Sequence, residues 1–381
     1  MALERMLLAT DVRLRHDSNG AILSTHPAAS YETFAPLTEV YETVTLFARQ
    51  ASPGLPSVGL AGGPGVRLSQ VPDFNSVLTL IATLPQMLRL AWKETGRHDI
   101  VMGRLPESLS LLIGWTAVLR GRPFIANLVA DPTPRLGGGV MTRLVERARL
   151  AATRGLVSRS AATIYVTESY LQRVCPPPSG PTLVRSDIRI DDTWFLPPRR
   201  SRLTSPARVV LVGNNQTWEK GQLVLLDAAG LLAREGRRVD LTFVGGGRHL
   251  DALRDEARKR ALPGRVSVLG QIENRERLAG LLDAHDIFCL PSLSEGLPRV
   301  IVEALARGLP AVGTSVGGIP ELLPQDALCA PGDAVALAAA LRSVMDDPSP
   351  QLRSSAGIET ARRVVNRSQP SILIEFLRQL G

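Results

Sequence analysis

Two carboxylates eight residues apart, Glu295 and Glu303, straddle the start of a segment that reads as a helix, Glu295-Gly296-Leu297-Pro298-Arg299-Val300-Ile301-Val302-Glu303. Pro298 suits the first helical turn, where no backbone N–H is needed and φ is already helical. Gly308 follows the last apolar position and suits the stop. Glu295 is thereby expected in the loop before the helix. Glu303 falls at about the second turn on the inward edge of the apolar stripe, between Ile301 and Ala304-Leu305, where an unpaired carboxylate is costly. A loop running into a helix start offers free N–H groups and the positive end of the helix dipole, a setting for phosphate. Fixed carboxylates beside it suit hydroxyl groups, because an ionised carboxylate only accepts hydrogen bonds. Phosphate beside a polyol is the chemistry of a nucleotide sugar. The blander readings, a solvated loop acid for Glu295 and a surface helix residue for Glu303, leave the inward position of Glu303 unexplained.

The elements that must position these residues alternate along the chain. In the second half, apolar strands are predicted at 208–213, 240–244, 266–269, 287–290 and 311–314. Helices lie between and after them at 221–235, 250–261, 275–284, 298–307, 320–323 and 334–346. The first half has strands at 6–10, 99–102, 123–129 and 162–166, with helices at 77–95, 109–119 and 140–159. Residues 31–50 have mixed periodicity, read as a helix then a strand, and the Pro/Gly-rich 52–65 reads as loop. Such alternation implies α/β architecture: two doubly wound, Rossmann-like domains with parallel sheets. The domains are expected at 1–198 and 207–362, joined by a linker at 199–206. The tail, 363–381, reads as an amphipathic helix that folds back across the first domain. Ligands in such sheets bind at the carboxyl ends of strands, so a cleft between the domains is the expected site.

Composition narrows the function classes. The 381 residues carry 44% hydrophobic and 21% charged side chains, an ordinary globular balance. Aromatics are only 4%, which argues against a nucleic-acid reader built on stacking. The net charge of +8 is mostly arginine, lysine occurring only at positions 93, 220 and 259. Such a balance favours anionic substrates or an anionic membrane surface, or reflects nothing more than arginine-rich usage. Cys175, Cys289 and Cys329 are scattered, which fits a reducing cytoplasm better than a disulfide framework or zinc site. No run approaches the roughly 20 apolar residues of a membrane-spanning helix, and the first residues lack a signal peptide's apolar core. Gly245-Gly246-Gly247 lacks the spacing of a dinucleotide fingerprint. No Asp-x-Asp occurs and the histidines are dispersed, so no metal site is expected.

An ordered set of segments in the second half resembles the nucleotide-binding domain of the GT-B retaining glycosyltransferases of family 4 (glycosyl transferases group 1). It comprises Val212-Gly213, Glu219-Lys220-Gly221, Val244-Gly245-Gly246-Gly247, Val268-Leu269-Gly270, Leu290-Pro291-Ser292, the Glu295 to Glu303 segment with the run to Pro310, Gly317-Gly318-Ile319-Pro320-Glu321 and Pro331-Gly332-Asp333. The resemblance implies that Glu303 holds the donor's ribose hydroxyls and that Glu295 contacts the transferred sugar. Lys220 would sit on the diphosphate, with Gly213, the N–H groups of Gly296 and Leu297, and Arg299 nearby. Val268, Leu269 and Ile272 would edge the base. Many relatives carry arginine where this chain has Asn214, so either Lys220 and the helix dipole suffice, or Arg248 or Arg299 supplies the missing charge, or catalysis is weak.

The first half is similar only in rhythm. Asp131, at a strand end, is a candidate to accept the acceptor hydroxyl's proton or to bind the sugar. His16 and Asp17, in the first loop, are candidate acceptor contacts. The expected partners are a nucleotide sugar of UDP or GDP type and a glycan, lipid-linked or small-molecule acceptor, with no cofactor and no nucleic acid. The expected activity is retaining, metal-independent transfer of a hexose-type sugar in bacterial surface polysaccharide or glycoconjugate synthesis. Natural-product glycosylation, a nucleotide-sugar 2-epimerase and a non-catalytic nucleotide-binding partner are the alternatives. A cytoplasmic location is expected, the inner face of a membrane included. The helix bearing Arg143, Arg147, Arg149, Arg154 and Arg159 fits either anionic headgroups or, as preferred here, a sheet-facing role in which Leu144, Val145, Ala148 and Leu156 pack inward.

Overall fold

A computed structural model of the protein describes residues 4–26, 29–52, 54, 55, 57–74, 76–134, 139–199 and 203–380. The chain divides into two units, residues 1–187 with 368–381 and residues 188–367. The break at 187/188 precedes the composition-based linker. Within that linker, Arg199 is tied into the second unit: its N–H donates to Ser354 Oγ at 3.0 Å and its guanidinium to the carbonyls of His285 and Leu282. Residues 200–202 lie outside the described residues.

In the first unit the strands are β1 (Arg5–His16), β2 (Ile22–Ser24), β3 (Thr43–Gln50), β4 (Gly59–Leu60), β5 (Val66–Val71), β6 (Ile100–Leu105), β7 (Phe124–Leu128), β8 (Ala162–Tyr165) and β9 (Thr182–Val184). The helices are α1 (Tyr31–Thr38), α2 (Val77–Arg97), α3 (Ser108–Leu119), α4 (Val140–Val157) and α5 (Tyr170–Val174). Parallel pairing runs β5-β3-β1-β6-β7-β8-β9, and the far end of β1 carries β2 and β4 antiparallel. The stretch 52–65 therefore contains a short strand as well as loop. β5 was not legible as a strand because Arg67, Ser69 and Gln70 interrupt its apolar run.

The second unit holds β10 (Ala207–Val212), β11 (Val239–Val244), β12 (Val266–Gly270), β13 (Ile287–Leu290), β14 (Ala311–Thr314) and β15 (Leu328–Cys329). Its helices are α6 (Gln222–Arg234), α7 (Leu250–Arg260), α8 (Arg275–Asp283), α9 (Arg299–Ala306), α10 (Ala334–Met345) and α11 (Pro350–Asn366). The sheet is parallel in the order β12-β11-β10-β13-β14-β15. Two helix boundaries differ from the sequence reading. Pro298 is the N-cap of α9 rather than its first turn. The helix expected at 320–323 is a single 3₁₀ turn, Ile319–Glu321. The last helix, α12 (Pro370–Arg378), belongs to the first unit, where Leu373, Phe376 and Leu377 join the core with Met6, Leu37 and Tyr41.

Both sheets are locked by the same device. His98-Asp99-Ile100 precedes β6 and His285-Asp286-Ile287 precedes β13. Each imidazole faces a backbone carbonyl with Nδ1, Glu94 O at 2.7 Å and Leu281 O at 2.6 Å. A carbonyl only accepts, so Nδ1 carries the proton and Nε2 accepts from a strand hydroxyl, Thr45 or Thr242, both at 2.8 Å. Each aspartate then takes the N–H and guanidinium of an arginine at the start of the central strand, Arg5 or Arg208. The registers match: Met6 pairs with Ile100 and Leu7 with Thr45, as Val209 pairs with Ile287 and Val210 with Thr242. One lock thus joins three adjacent strands in each unit at the edge away from the ligand-binding ends.

Burial holds both imidazoles below their ordinary pKa, against the pull of the nearby backbone carbonyls. The unfolded chain then binds protons that the folded one resists. Stability should be fully present above about pH 6.5 and fall as the pH drops toward the lowered native values. His98→Gln and His285→Gln should each cost about 1–2 kcal/mol at pH 8 and flatten that acid limb in thermal unfolding. An unchanged slope in the double variant would contradict the lock.

Candidate active site

In the second unit β10 and β13 are neighbours, yet the chain leaves them in opposite directions, toward β11 through α6 and toward β14 through α9. Right-handed crossovers place those helices on opposite faces of the sheet. The loops after the two strands must part, and the crevice between them is where ligands of such sheets bind. Lys220 closes the loop after β10, at the end of the 3₁₀ turn Trp218–Lys220, and Glu295 lies in the loop after β13.

The two loops are stitched together. Lys220 Nζ donates to Glu295 Oε1 at 2.5 Å, and Ser292 Oγ donates to the same oxygen at 2.7 Å. Ser292, fully buried, is itself fixed by Thr314 Oγ1, which donates to its carbonyl at 2.6 Å. Leu293 N–H donates to Glu219 O at 2.7 Å. Two glycines permit this closeness. Gly221 has φ +74°, and a Cβ there would stand 2.0 Å from Pro291 O. Gly317 has φ +55°, and its Cβ would meet Glu295 O at 2.1 Å. Both values lie in the left-handed region that side chains resist. Gly318 N–H then donates to Gly296 O at 2.6 Å, bracing the loop that carries Glu295. Ser292 and Gly317 were legible as motif residues, but their service to Glu295 was not, since it depends on β14 lying beside β13.

Gly213 follows β10, packed against the aliphatic stem of Lys220. Asn214 is exposed, its Oδ1 accepting from Gln216 N–H at 3.2 Å. The neighbouring Asn215 is buried instead. It ties the loop to Gly245 O through Nδ2 at 2.5 Å and accepts from Gln222 Nε2 at 2.9 Å. Arg248 donates to Gln216 O at 2.8 Å, while Arg299 is exposed at the start of α9. Gly296 and Leu297 are buried, and their N–H groups make no hydrogen bond among the described residues.

Glu303, half-buried on α9, accepts no side-chain hydrogen bond among the described residues. Burial pushes its carboxyl above the ordinary value, with Arg299 and Arg275 pulling the other way. Its backbone carbonyl accepts from Trp194 Nε1 at 3.1 Å. At the carboxyl end of β12, Val268 and Ile272 are half-buried and Leu269 is exposed. Gly270 O accepts from Gly245 N–H at 2.7 Å, which holds this end against the loop after β11.

In the first unit the candidates are already engaged. Asp131 accepts from Thr133 N–H at 2.9 Å, Thr133 Oγ1 at 2.8 Å and Tyr170 Oη at 2.7 Å, so both carboxylate oxygens bind the loop after β7. His16 Nδ1 lies 3.1 Å from Gly20 O, and Asp17 Oδ1 accepts from Asn19 and Ala21 N–H at 2.8 Å, closing the β1–β2 turn. A charged group that the sequence reading missed sits where β1 and β6 part. Asp11 caps α3 by accepting from Ser108 and Leu109 N–H at 2.9 Å. Glu107 returns the favour at Asp11 N–H, 2.7 Å away, and Arg104 bridges Glu107 and Asp187. The spacing of an acid just before a helix was the available signal; its partner ninety-six residues away was not.

Among the described residues no group of three or more His, Cys, Asp or Glu side chains could hold a metal ion. A cavity of about 480 Å³ in this unit, lined by Leu305, Leu322, Leu352, Asp326 and Arg353, is separate from the Lys220 crevice.

Glycogen synthase from Mycobacterium tuberculosis is 31% identical over 233 residues, 60% of this chain and 55% of that protein, so the match spans about half the length of this relative. Sucrose-phosphate synthase from Thermosynechococcus elongatus superposes with a TM-score of 0.74 at 20% identity, covering 99% of both chains. Alr3699/HepE from Anabaena, solved in complex with UDP-glucose, gives 0.66 at 16% identity over 98% of both. The fold is the α/β GT-B fold of these glycosyltransferases, and residues 206–347, the body of the second unit, match the family model of glycosyl transferases group 1.

Proposed function

We propose that the protein is a retaining glycosyltransferase that moves a hexose-type sugar from a nucleoside diphosphate to an acceptor hydroxyl in the assembly of a polysaccharide or other glycoconjugate at the cytoplasmic side. The observation that carries this reading is the Lys220–Glu295 pair at the point where β10 and β13 part. The ammonium is placed to oppose charge building on a departing diphosphate, with the N–H groups of Gly296 and Leu297 and the dipole of α9 as further donors. Glu295 keeps one carboxylate oxygen without a partner among the described residues, ready to accept from sugar hydroxyls. Glu303, raised in pKa and accepting no side-chain hydrogen bond among the described residues, is matched to the ribose hydroxyls, whose donated hydrogen bonds would favour its ionised form. Lys220 and the helix dipole take the part that a divalent ion plays elsewhere. Asp131 in the first unit is proposed to orient the acceptor loop rather than to act as a base, since both its oxygens are occupied. The resemblance to a glycogen synthase and to a protein crystallised with UDP-glucose supports a sugar nucleotide of UDP or GDP type and a glycan acceptor.

A panel of nucleotide sugars should identify one that raises the melting temperature, because preferential binding to the folded state stabilises it. With that donor, diphosphate release should require an acceptor extract and persist in chelator. Acceptor-free release would favour epimerisation, binding without release a non-catalytic partner, and loss restored by Mg²⁺ a metal-dependent site.

Lys220→Ala should lower kcat by about 10²–10³-fold with little change in donor affinity. Glu303→Gln should instead weaken the donor by about tenfold or more. Because binding favours ionised Glu303, wild-type affinity for a diphosphate sugar should fall as the pH drops through the raised pKa, and Glu303→Gln should remove that dependence. Calorimetric titration across pH checks this; parallel pH profiles would refute the assigned role.

A further inference from the structure

α2, α3 and α4 form one layer on one face of the first sheet. Each is a crossover to the next strand on the same side, β5 to β6, β6 to β7 and β7 to β8, so right-handed connections put all three on that face. The outward surface of this layer is apolar where water should be. On α2, Met87, Ala91 and Thr95 are buried against the sheet, while Leu78, Ile81, Leu88 and Trp92 stand 46 to 79% exposed. Their spacing of three, seven and four residues, with Pro85 between, makes a second stripe along the helix, turned roughly a quarter-turn away from the buried one.

α4 departs further from the sequence reading. Leu156 packs inward as expected, but Leu144, Val145 and Ala148 do not: Ala148 is exposed, and Leu144 and Val145, with Val140 and Met141, are 53 to 77% exposed. Residues 140–145 are exposed on every side, so the first turns of α4 project beyond the body of the unit. Leu119, at the end of α3 between the two helices, is 75% exposed.

The charge around these stripes has one sign. α2 and α4 carry Arg89, Lys93, Arg97, Arg143, Arg147, Arg149 and Arg154, seven basic residues, against two acids, Glu94 and Glu146. Glu94 is turned in beside His98. Arg89 and Lys93 are exposed one residue on from Leu88 and Trp92, along the flank of the stripe. The Arg120 guanidinium lies 4.5 Å over the Trp92 ring, joining an amphipathic aromatic to a cation. Pairing this face with its own copy would bring like charges together, which disfavours a self-interface. Among the described residues no helix is long and apolar enough to cross a membrane. An apolar surface flanked by cations, borne on helices lying parallel to it, has the chemistry of contact with anionic headgroups and the acyl boundary beneath them.

We infer that the α2–α3–α4 face of the first unit docks the protein laterally on an anionic lipid bilayer. The inference stands on this surface and does not rest on the transferase reading. If both hold, the docked enzyme would meet a lipid-linked acceptor at the membrane.

Co-sedimentation of the full chain with vesicles tests it, with no donor or acceptor present, so that its outcome is independent of glycosyl transfer. The protein should bind vesicles of phosphatidylglycerol and phosphatidylcholine in equal parts, bind pure phosphatidylcholine weakly, and lose affinity in high salt. Ile81→Glu with Leu88→Glu, and separately Val145→Glu, should reduce binding about tenfold or more. Arg89→Glu with Lys93→Glu should reduce it by about fivefold per residue. These side chains are exposed, so melting temperature and donor-nucleotide binding should be unchanged, which separates lost docking from lost folding. No wild-type binding, or equal binding by folded variants, would overturn the proposal. So would a wild-type dimer that ignores vesicles and dissociates in the Ile81/Leu88 variant, which would assign the face to a second copy.

Discussion

Two neighbouring parallel strands whose chains leave in opposite directions send their following helices to opposite faces of the sheet. That constraint at β10 and β13 governs the second unit. The separation leaves a gap at the carboxyl ends, and the Lys220–Glu295 ion pair spans it at 2.5 Å. Around the pair, each neighbour removes a degree of freedom: Ser292 orients the carboxylate, Thr314 fixes Ser292, and left-handed glycines at 221 and 317 let backbone approach backbone. A cation and an anion held together in a half-buried crevice are poised to exchange each other for ligand groups of matching charge and hydrogen-bonding capacity. In the proposed reading a diphosphate offers the first and sugar hydroxyls the second.

The same architecture appears in the first unit with a different use of the gap. Where β1 and β6 part, Asp11 caps the start of α3, so an internal carboxylate occupies the helix terminus that an external anion would otherwise find. The His-Asp-Ile lock at the opposite edge is shared by both units down to its strand register. Opposite ends of each sheet thus carry different burdens. One edge repeats a structural solution, and the other differs between the units in the chemistry it displays.

Much of this was legible in the sequence because strand and helix periodicities differ and the glycines fall at strand ends. The alternation yielded the α/β class and most elements of both sheets. The Glu295 to Glu303 segment placed one acid in a loop and one on a helix, as observed. Weakly apolar elements were missed: β5 carries arginine and glutamine, and α11 hides Ile358, Ala361, Val364 and Val365 among polar residues. Tertiary partners were also out of reach. Asp131 is held by Tyr170, thirty-nine residues away, which nothing in its spacing announces, while His16 and Asp17 bond Gly20 and Ala21 within the β1–β2 turn. The helix α4 shows the limit most clearly. Its apolar residues have helical spacing, but periodicity alone does not tell whether a sheet lies beneath them, and under Leu144 and Val145 none does.

A crystal structure of the protein with a bound nucleoside diphosphate sugar tests the central claim most directly. A phosphate oxygen should lie within hydrogen-bonding distance of Lys220 Nζ, with Glu295 turned onto a sugar hydroxyl and Glu303 onto the ribose. A nucleotide bound elsewhere, with the Lys220–Glu295 pair closed and dry of ligand, would contradict it.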